Sequence, residues 1–467
     1  MTAGGRSLIL AGGGIRVAWQ TGVVTALTEA GYRFDHLDGS SGGIFTTAML
    51  MSGQHPDEMG ERWRALNIRA FTALLPLRAY LRSPTNWVAF GGSGGIRRKV
   101  LPGLGIDLPR IRAGDTPSAS FNVADFAAKN CVALPHTEID EDRLIAGVSL
   151  AGLMPAVAAG GRTWTDAVWI KDANLTEAVL RGSTEIWVAW CIGNTPRWGT
   201  GALEQYVHMI EMSAVGALTT ELHWIADLNA GRLRGEPVAD EAAQIVVHII
   251  RPALPIPLDP DFVTGRIDAE TLIAMGYRDA WRYLEDHHPG GVPLDGSPTA
   301  TPDRPLGARI AIRAGGRLEE AGPASTTIVL EADDLAALLA DPASRLSAVG
   351  ALRNRHGYRM FSSATAQLDG RGATRRLCVR AVLCPADGRR TLDVDIPLPV
   401  GHWAAARSQR WTIRDAGGSV VDQGSARMSA GQACRAVLSF EPSGAHTLRD
   451  RIRAIRLARA VLQRHAG

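Results

Sequence analysis

The sequence predicts an α/β fold with a mainly parallel sheet, followed by a smaller, mainly β region at the C-terminal end. Between Leu8 and Asp286, short apolar runs alternate with helical patterns, which is typical of successive strand–helix units. Nearer the C-terminus, apolar residues instead recur at every second position, as at Leu392, Val394 and Ile396. The chain has 467 residues, which is long enough for two such regions with separate cores.

The first strand–helix unit begins near the N-terminus. Leu8–Leu10 predicts a strand, and Val17–Glu29 has the spacing of an amphipathic helix that ends before Gly31. Continuous apolar runs farther along the chain predict strands of a parallel sheet covered on both faces, at Ala119–Val123, Ile186–Cys191 and Gln244–Ile250. Together these elements predict an α/β domain over residues 1–288.

A stretch rich in proline, glycine, serine and threonine follows at residues 289–305, and this composition is typical of a linker. Beyond it we expect a mainly β accessory domain over residues 306–467. It would contain a helix at Asp333–Ala340 and end in a basic amphipathic helix. Apolar alternation predicts two hairpins in it, Leu377–Cys384 with Leu392–Leu398 and Arg410–Ile413 with Ser419–Val421.

Composition excludes several classes of protein. Apolar residues make up 46% of the chain and charged residues 21%, with a mean hydropathy of −0.01, which is typical of globular proteins and not of disordered, collagen-like or membrane-spanning ones. No apolar run reaches membrane-spanning length and no signal-peptide pattern follows Met1, so we expect a cytoplasmic protein. The five cysteines are scattered without a C-x-x-C pair, so we expect neither a disulfide framework nor a zinc site, and we expect no other metal site.

Charge is distributed unevenly along the chain. Residues 1–300 contain 25 basic and 32 acidic side chains, whereas residues 301–467 contain 25 basic and 15 acidic ones. A basic region beside an acidic one favours an anionic partner, and because no nucleic-acid recognition motif is present we expect a membrane rather than a nucleic acid. The C-terminal helix could lie on such a membrane, or it could cover its own β domain with its arginines toward water. Its apolar stripe consists of Leu448, Ile452, Ile455 and Leu462.

The first candidate functional motif is Gly12-Gly13-Gly14-Ile15-Arg16, which joins the first predicted strand to the first helix. Several backbone N–H groups without bulky side chains would point at one spot near a helix N-terminus, where an anion or an oxyanion binds. Three interpretations remain: a nucleotide phosphate loop, an oxyanion hole, or a tight turn. The Walker sequence is absent because no Gly-Lys-Ser/Thr follows, and Val17 stands where the dinucleotide fingerprint needs glycine or alanine.

A second motif, Gly39-Ser40-Ser41-Gly42-Gly43, has the pattern G-x-S-x-G between a predicted strand and the predicted helix Ile44–Met51. The glycines two positions before and after the serine, Gly39 and Gly43, allow a sharp turn from strand to helix without a steric clash. Such a turn presents the Ser41 hydroxyl at the carboxyl edge of the strand. Ser41 is therefore the candidate nucleophile, and the helix that follows helps to stabilise negative charge beside it.

Together these motifs resemble those of the patatin-like phospholipase family, whose pattern is G-G-G-x-R/K-G, then G-x-S-x-G, then a distal D-G-G/A. The resemblance extends over residues 5–285 and implies a three-layer α/β/α fold with a mainly parallel sheet. On the family's register, Gly161–Asp166 corresponds to the strand that ends in the catalytic aspartate, so the resemblance implies that role for Asp166. Asp172 is the alternative, at a position where relatives commonly carry asparagine.

The resemblance implies a serine acyl hydrolase of the phospholipase A or lysophospholipase type. Asp166 would take the proton of Ser41 directly, as a Ser-Asp dyad, and the backbone of Gly12, Gly13, Gly14, Ile15 and Arg16 would hold the oxyanion. The substrate would be a lipid or another acyl ester, and no cofactor is required.

The sequence departs from the family pattern at glycines beside the chemistry, with Val17 after Arg16 and Ala167-Val168 after Asp166. These changes leave open a catalytically silent lipid-binding or regulatory protein. A second alternative is an esterase with a Ser-His-Asp triad. The candidate histidines for such a triad follow Asp166 in apolar or amphipathic runs and are His208, His223 and His248.

Overall fold

The computed structural model describes most of the chain. The described residues are 5–67, 71, 89–192, 198–199, 201–231, 244–254, 256, 267–300, 303–341, 344–370, 374–383, 389–398, 405–445 and 447–464. The chain folds into two compact units, Met1–Val263 with Tyr283–Thr301, and Thr264–Arg282 with Pro302–Gly467. The domain limits expected from the sequence, with a linker at residues 289–305, stay a prediction.

The first unit contains both strands and helices. Its strands are β1 (Gly5–Leu10), β2 (His36–Ser40), β3 (Ser118–Asp125), β4 (Asn130–Pro135), β5 (Val157–Ala159), β6 (Arg162–Asp166), β7 (Ser183–Ala189) and β8 (Val246–Ile250). Its helices are α1 (Ala18–Glu29), α2 (Gly43–Met51), α3 (Pro56–Ala65), α4 (Leu108–Ala113), α5 (Glu141–Gly147), α6 (Leu175–Leu180) and α7 (Ala202–Asn229). Short helical turns lie at Gly14–Val17, Ile96–Val100, Leu101–Gly103, His136–Glu138, Ala167–Trp169 and Ser297–Thr299. A further helix, α8 (Ala269–Asp286), has residues in both units.

The strands of the first unit form one sheet in the order β5-β6-β3-β2-β1-β7-β8, with β4 paired to β3. Strands β3, β2, β1, β7 and β8 run parallel to one another, and β4, β5 and β6 join in antiparallel pairs. The predicted α/β fold with a mainly parallel sheet is confirmed. Because β2 ends at Ser40, the candidate nucleophile follows the last residue of a central strand.

The central strands are buried on both faces because helices cover them, and β1 is largely apolar. In β1, Leu8, Ile9 and Leu10 are each 1% exposed or less. One core cluster joins β1, β7, β8 and α7 through residues that include Ile9, Val188, Val247, Leu218 and Leu222. This packing leaves the carboxyl ends of β1 and β2, where the two glycine motifs begin, at one edge of the sheet.

The second unit is mainly β. Its strands are β9 (Gly307–Leu318), β10 (Gly322–Ala332), β11 (Leu346–Asn354), β12 (Gly357–Asp369), β13 (Arg376–Leu383), β14 (Arg390–Pro397), β15 (Ser408–Arg414), β16 (Val420–Arg427) and β17 (Glu441–Ser443). Its helices are α9 (Leu335–Ala340), α10 (Ala430–Leu438) and α11 (Leu448–Arg464), with a helical turn at Ala405–Arg407. The mainly β fold predicted for this end of the chain is confirmed.

Strands β9 to β16 form a closed antiparallel sheet, since each pairs with the next and β16 pairs back onto β9. The predicted hairpins are present as β13–β14 and β15–β16, and Cys384 lies outside the described residues. The sequence does not predict β9, because three of its four buried apolar residues are the alanines Ala308, Ala311 and Ala314, and only Leu318 is large. Among the described residues, no helix has the length and hydropathy needed to span a bilayer.

Candidate active site

Ser41 lies in the turn between β2 and α2, at the carboxyl end of the parallel strands. Its backbone φ is 49°, in the left-handed region that non-glycine residues rarely adopt. The glycines on either side have no room for side chains, because a β-carbon on Gly39 would overlap Thr47 and one on Gly43 would overlap the Leu10 carbonyl. Ser41 is thus the strained residue of a tightly packed turn. This backbone conformation holds its hydroxyl at the edge of the sheet.

The Ser41 hydroxyl donates a hydrogen bond to Asp166, the last residue of β6. The distance from Oγ to Oδ2 is 2.6 Å, and the exposed fractions are 8% for Ser41 and 0% for Asp166. The two residues meet because β3 pairs with both β2 and β6. The second carboxylate oxygen, Oδ1, accepts from the backbone N–H of Val168 at 2.9 Å, which fixes the orientation of the carboxylate.

Burial changes the acidity of Asp166. Removal from water disfavours the carboxylate and raises its pKa to about 7, although the hydrogen bonds from Ser41 and Val168 oppose that rise. A carboxyl group with a pKa near neutrality can both accept and return a proton near neutral pH. The arrangement can therefore act as a nucleophile with its own general base.

The loop Gly12–Arg16 lies against the turn that carries Ser41. A β-carbon on Gly42 would overlap the backbone carbonyl oxygen of Gly14, so only glycine fits in this turn beside the loop. In the described part of the chain, the N–H groups of Gly13 and Gly14 donate to no protein acceptor. Free backbone donors beside a serine hydroxyl can hold a developing oxyanion.

The end of this loop is the helical turn Gly14–Val17. Ile15 is buried, and Arg16 donates from its side-chain Nε to the carbonyl of Gly13 at 3.0 Å. The same carbonyl accepts from the Arg16 backbone N–H at 3.2 Å. Arg16 therefore stabilises the fold of the loop, with both of these donors directed at its backbone.

Asp172, the alternative base, contacts the glycine loop. Its Oδ1 accepts from the backbone N–H of Gly12 at 2.9 Å. Burial and the nearby charge of Asp166 raise its pKa to about 7. A β-carbon on Gly12 would overlap the Asp172 carboxylate and would lie 2.8 Å from the β-carbon of Ser41. Of the two aspartates, Asp166 is thus hydrogen-bonded to the hydroxyl and Asp172 to the loop.

The sequence of this region matches a known family. Residues 8–179, which contain Ser41, Asp166 and Asp172, match the family model described as Patatin-like phospholipase. Residues 8–179 form a patatin-like phospholipase domain. Such a domain indicates a lipid acyl hydrolase, broadly an esterase or phospholipase, whose substrate is a lipid.

Among solved structures, the chain is similar to the crystal structure of VipD from Legionella pneumophila, with 13% sequence identity over 61% of this chain and 67% of that chain. The TM-score is 0.28, which is too low to carry an argument about the fold or the site. No match was found among curated proteins.

The patatin-like domain contains a buried polar network that its motifs do not indicate. Asp38, three residues before Ser41, accepts from the Ser120 hydroxyl and, at 2.6 Å, from the Asn122 amide. Asn122 accepts in turn from Asn174 at 2.8 Å. Burial raises the pKa of Asp38 to about 7. The signal in the sequence is an aspartate within a strand that is otherwise expected to be buried.

Two further buried residues support the glycine loop, one from the helix that follows it and one from a distant part of the chain. The Gln20 amide donates to the Ala11 carbonyl at 2.6 Å, just before the loop. The Cys191 thiol lies 3.3 Å from the Gly12 carbonyl as a donor, and a β-carbon on Gly13 would overlap its sulfur. Nothing local in the sequence could have indicated the Cys191 contact, because 179 positions separate the two residues.

The three candidate histidines lie after the matched residues and, in the part of the chain that the structure describes, are not bound to the serine or the aspartate. His248 stacks on Trp187 with ring centroids 4.1 Å apart, and burial lowers its pKa to about 4. His208 accepts from the Gly199 N–H at 2.9 Å, and His223 is exposed. Among the described hydrogen bonds, none joins any of the three to Ser41 or Asp166.

The departures from the family's glycines are accommodated by the surrounding residues. Val17 is fully buried beside Gly42, where a β-carbon would lie 2.8 Å from it, so the bare backbone of Gly42 makes room for the valine. Val168, in place of a glycine after Asp166, still donates its N–H to the aspartate. Neither substitution removes a backbone donor from the site.

Proposed function

We propose that the patatin-like domain is a serine acyl hydrolase in which Ser41 and Asp166 form a catalytic dyad. The observation that carries this proposal is the hydrogen bond of 2.6 Å from the Ser41 hydroxyl to the Asp166 carboxylate. A serine hydroxyl is a weak nucleophile unless a base within hydrogen-bond distance takes its proton. Asp166 lies at that distance, and its pKa of about 7 suits a group that alternately accepts and returns a proton.

The proposed reaction begins when the Ser41 oxygen attacks the carbonyl carbon of an acyl ester and its proton passes to Asp166. The carbonyl electrons move to oxygen, and the resulting oxyanion accepts hydrogen bonds from the glycine loop. Collapse of this intermediate releases the alcohol, which takes the proton from Asp166 and leaves the acyl group on Ser41. A water molecule then attacks the acyl-enzyme, gives its proton to Asp166, and releases the carboxylic acid as the proton returns to Ser41.

Within the predicted loop Gly12–Arg16, we propose Gly13 and Gly14 as the oxyanion donors. The N–H of Gly12 is bound to Asp172, and the N–H of Arg16 is bound to the Gly13 carbonyl. Donors that are already oriented cost little reorganisation when charge develops in the transition state. The flanking donors thus hold the loop in shape while the central ones face the reaction.

Asp172 is a positioning residue in this account. Because its Oδ1 holds the Gly12 N–H, the carboxylate fixes the start of the oxyanion loop. It has no contact with the Ser41 hydroxyl among the described hydrogen bonds. The proposed base is therefore Asp166, with Asp172 setting the geometry of the donors.

The proposed substrate is a lipid acyl ester of the kind cleaved by phospholipase A or lysophospholipase. The first experiment measures hydrolysis of lysophosphatidylcholine, phosphatidylcholine and a short-chain nitrophenyl ester by the full chain. We expect hydrolysis that Ser41→Ala and Asp166→Asn abolish, and that persists when His208, His223 and His248 are each replaced by glutamine. Dependence on one histidine would instead support the Ser-His-Asp esterase, and a folded chain that hydrolyses none of these esters would support the silent lipid-binding protein.

A further inference from the structure

The C-terminal helix α11 has two apolar faces. Ala454 and Val461, with exposed fractions of 0% and 5%, face the interior of the second unit, where Ala454 packs in a cluster with Leu335 of α9 and Ala308 of β9. The second face is the stripe identified in the sequence, with exposed fractions of 74% for Leu448, 42% for Ile452, 53% for Ile455 and 40% for Leu462. The helix therefore covers its own unit, but with residues other than the stripe.

Arginines surround the exposed stripe. With about 3.6 residues per turn, the stripe lies between Arg451 on one side and Arg456 and Arg449 on the other. Arg459 lies within the stripe, one turn after Ile455. The helix contains six arginines and a single acidic residue, Asp450. Within the described part of the chain, the side chains of the arginines at 449, 451, 453, 456 and 459 make no hydrogen bond or ion pair.

We propose that α11 docks the second unit onto the surface of an anionic lipid bilayer. The stripe would enter the boundary between headgroups and acyl chains, and the arginines beside it would bind lipid phosphates. We infer an anionic bilayer because positive charge and exposed apolar side chains lie on the same face of the helix. A bilayer surface provides both negative charge and an apolar interior.

Each of two other possible partners would satisfy only one property of this face, either its charge or its apolar stripe. A nucleic acid would pair with the arginines and leave four large apolar side chains in water. A second copy of the helix would cover the stripe but would bring two rows of unpaired arginines together. An anionic bilayer satisfies the arginines and the stripe at once.

This proposal goes beyond the hydrolase and does not depend on it, because α11 belongs to the second unit and contains no part of the dyad. The test is therefore made with the full chain carrying Ser41→Ala, so that the vesicles stay intact. Its binding is measured by flotation with vesicles of phosphatidylcholine alone and of phosphatidylcholine with phosphatidylglycerol. We expect binding to the anionic vesicles only, weakened by added salt because the phosphate contacts are screened.

Two double variants separate charge from apolar insertion. Arg449→Gln with Arg456→Gln should weaken binding about 25-fold, at about fivefold for each arginine near an anionic surface. Ile452→Ser with Ile455→Ser should weaken it more than about tenfold, because the inserted apolar area is lost.

The matched controls lie on the closed sheet. Arg317→Gln with Arg410→Gln makes the same change in charge at two exposed arginines of β9 and β15, and Val420→Ser shortens an apolar side chain that is 50% exposed. Both should bind as the parent does. Failure of the folded parent to bind anionic vesicles, or equal losses in the control and α11 variants, would overturn the proposal. So would a dimer in sedimentation velocity that the serine variants dissociate, or duplex DNA that binds as tightly as the anionic vesicles.

Discussion

Two buried carboxylates, one in each unit, have opposite surroundings. Glu331 of β10 accepts from Arg278 at 2.8 Å and from Arg309 at 3.2 Å. Burial favours its neutral form, yet the two guanidinium groups prevail and hold its pKa below the usual value. Asp166 accepts instead from a hydroxyl and a backbone N–H, and burial raises its pKa to about 7.

Burial alone does not make a carboxylate reactive, because these two buried groups have their pKa values shifted in opposite directions. Paired with two cations, Glu331 keeps its charge and contributes to the stability of its unit. Without a cation, Asp166 titrates near neutral pH beside a strained serine, which is the combination expected of a functional site. The same site contains Asp172, whose pKa is also raised to about 7. Substitutions at these positions should therefore separate activity from stability.

The largest expected effect is on activity, at Asp166. Asp166→Asn removes the base and should lower kcat/KM for an acyl ester by a factor of about 10³ or more. Folding raises the pKa of the wild-type carboxyl from 3.8 to about 7. The free energy of unfolding of the wild type therefore falls as pH rises from about 4 to about 7, because the unfolded chain ionises first. Thermal unfolding should accordingly show Asp166→Asn gaining stability over wild type at about pH 8 and little at about pH 4. Retained hydrolysis, or a stability difference independent of pH, would contradict this account of Asp166.

The second effect is on stability, at Glu331. Glu331→Gln leaves Arg278 and Arg309 without a full counter-charge and should destabilise the second unit by about 3 kcal/mol. Because the pKa of Glu331 is lowered, its contribution is present above its ordinary value of 4.5 and is lost as pH falls below it. The difference in unfolding temperature should therefore shrink in acid, while hydrolysis by the folded protein stays unchanged. The control is Asp369→Asn, which breaks an exposed ion pair with Arg376. We expect this variant to keep the unfolding temperature of the wild type.

The third effect tests the glycine loop. Gly12→Ala places a methyl group against the Asp172 carboxylate and beside Ser41, so the loop must move. We expect a loss of about 100-fold in kcat, comparable to removing an oxyanion donor. Gly216→Ala in α7 is the matched control, because nothing lies within 4 Å of its β-carbon and it should keep full activity. An active Gly12→Ala would show that the loop does not need this geometry.

The smallest effect concerns Asp172. Asp172→Asn keeps an oxygen for the Gly12 N–H and should cost less than about tenfold in kcat/KM, whereas Asp172→Ala should cost more. In the wild type, kcat/KM should rise with pH through about 7, because the base must be ionised. Asp172→Asn removes the negative charge beside Asp166, which should lower the pKa of Asp166. The rise in kcat/KM should therefore occur at lower pH in this variant. An unchanged pH profile would contradict the coupling.

The sequence predicts the parts of the site that depend on local spacing. Gly39, Ser41 and Gly43 follow a strand and precede a helix, and this order alone indicates a sharp turn. Asp166 is implied by family resemblance only, since its meeting with Ser41 depends on β3, which pairs with the strands of both residues. The contact of Asp172 with Gly12 joins residues 160 positions apart and has no local signal.

In the second unit, the sequence indicates some strands and not others, depending on the size of their buried side chains. Alternation of large apolar residues indicates β14, where Leu392, Val394 and Ile396 are all buried. In β9 three of the four buried apolar residues are alanines, which have too little apolar surface to indicate a strand. The ion pairs of Glu331 likewise depend on α8 and β9 meeting β10, and no motif in the sequence indicates that meeting.

The most direct test of the central claim is covalent labelling with a fluorophosphonate probe, followed by mass spectrometric mapping of the modified peptide. The dyad predicts one label on Ser41 in the wild type, no label in Asp166→Asn, and retained labelling in Asp172→Asn and Glu331→Gln. Labelling of Ser41 that survives in Asp166→Asn but disappears in Asp172→Asn would move the base to Asp172 and contradict the account. So would a folded wild-type protein that takes up no label.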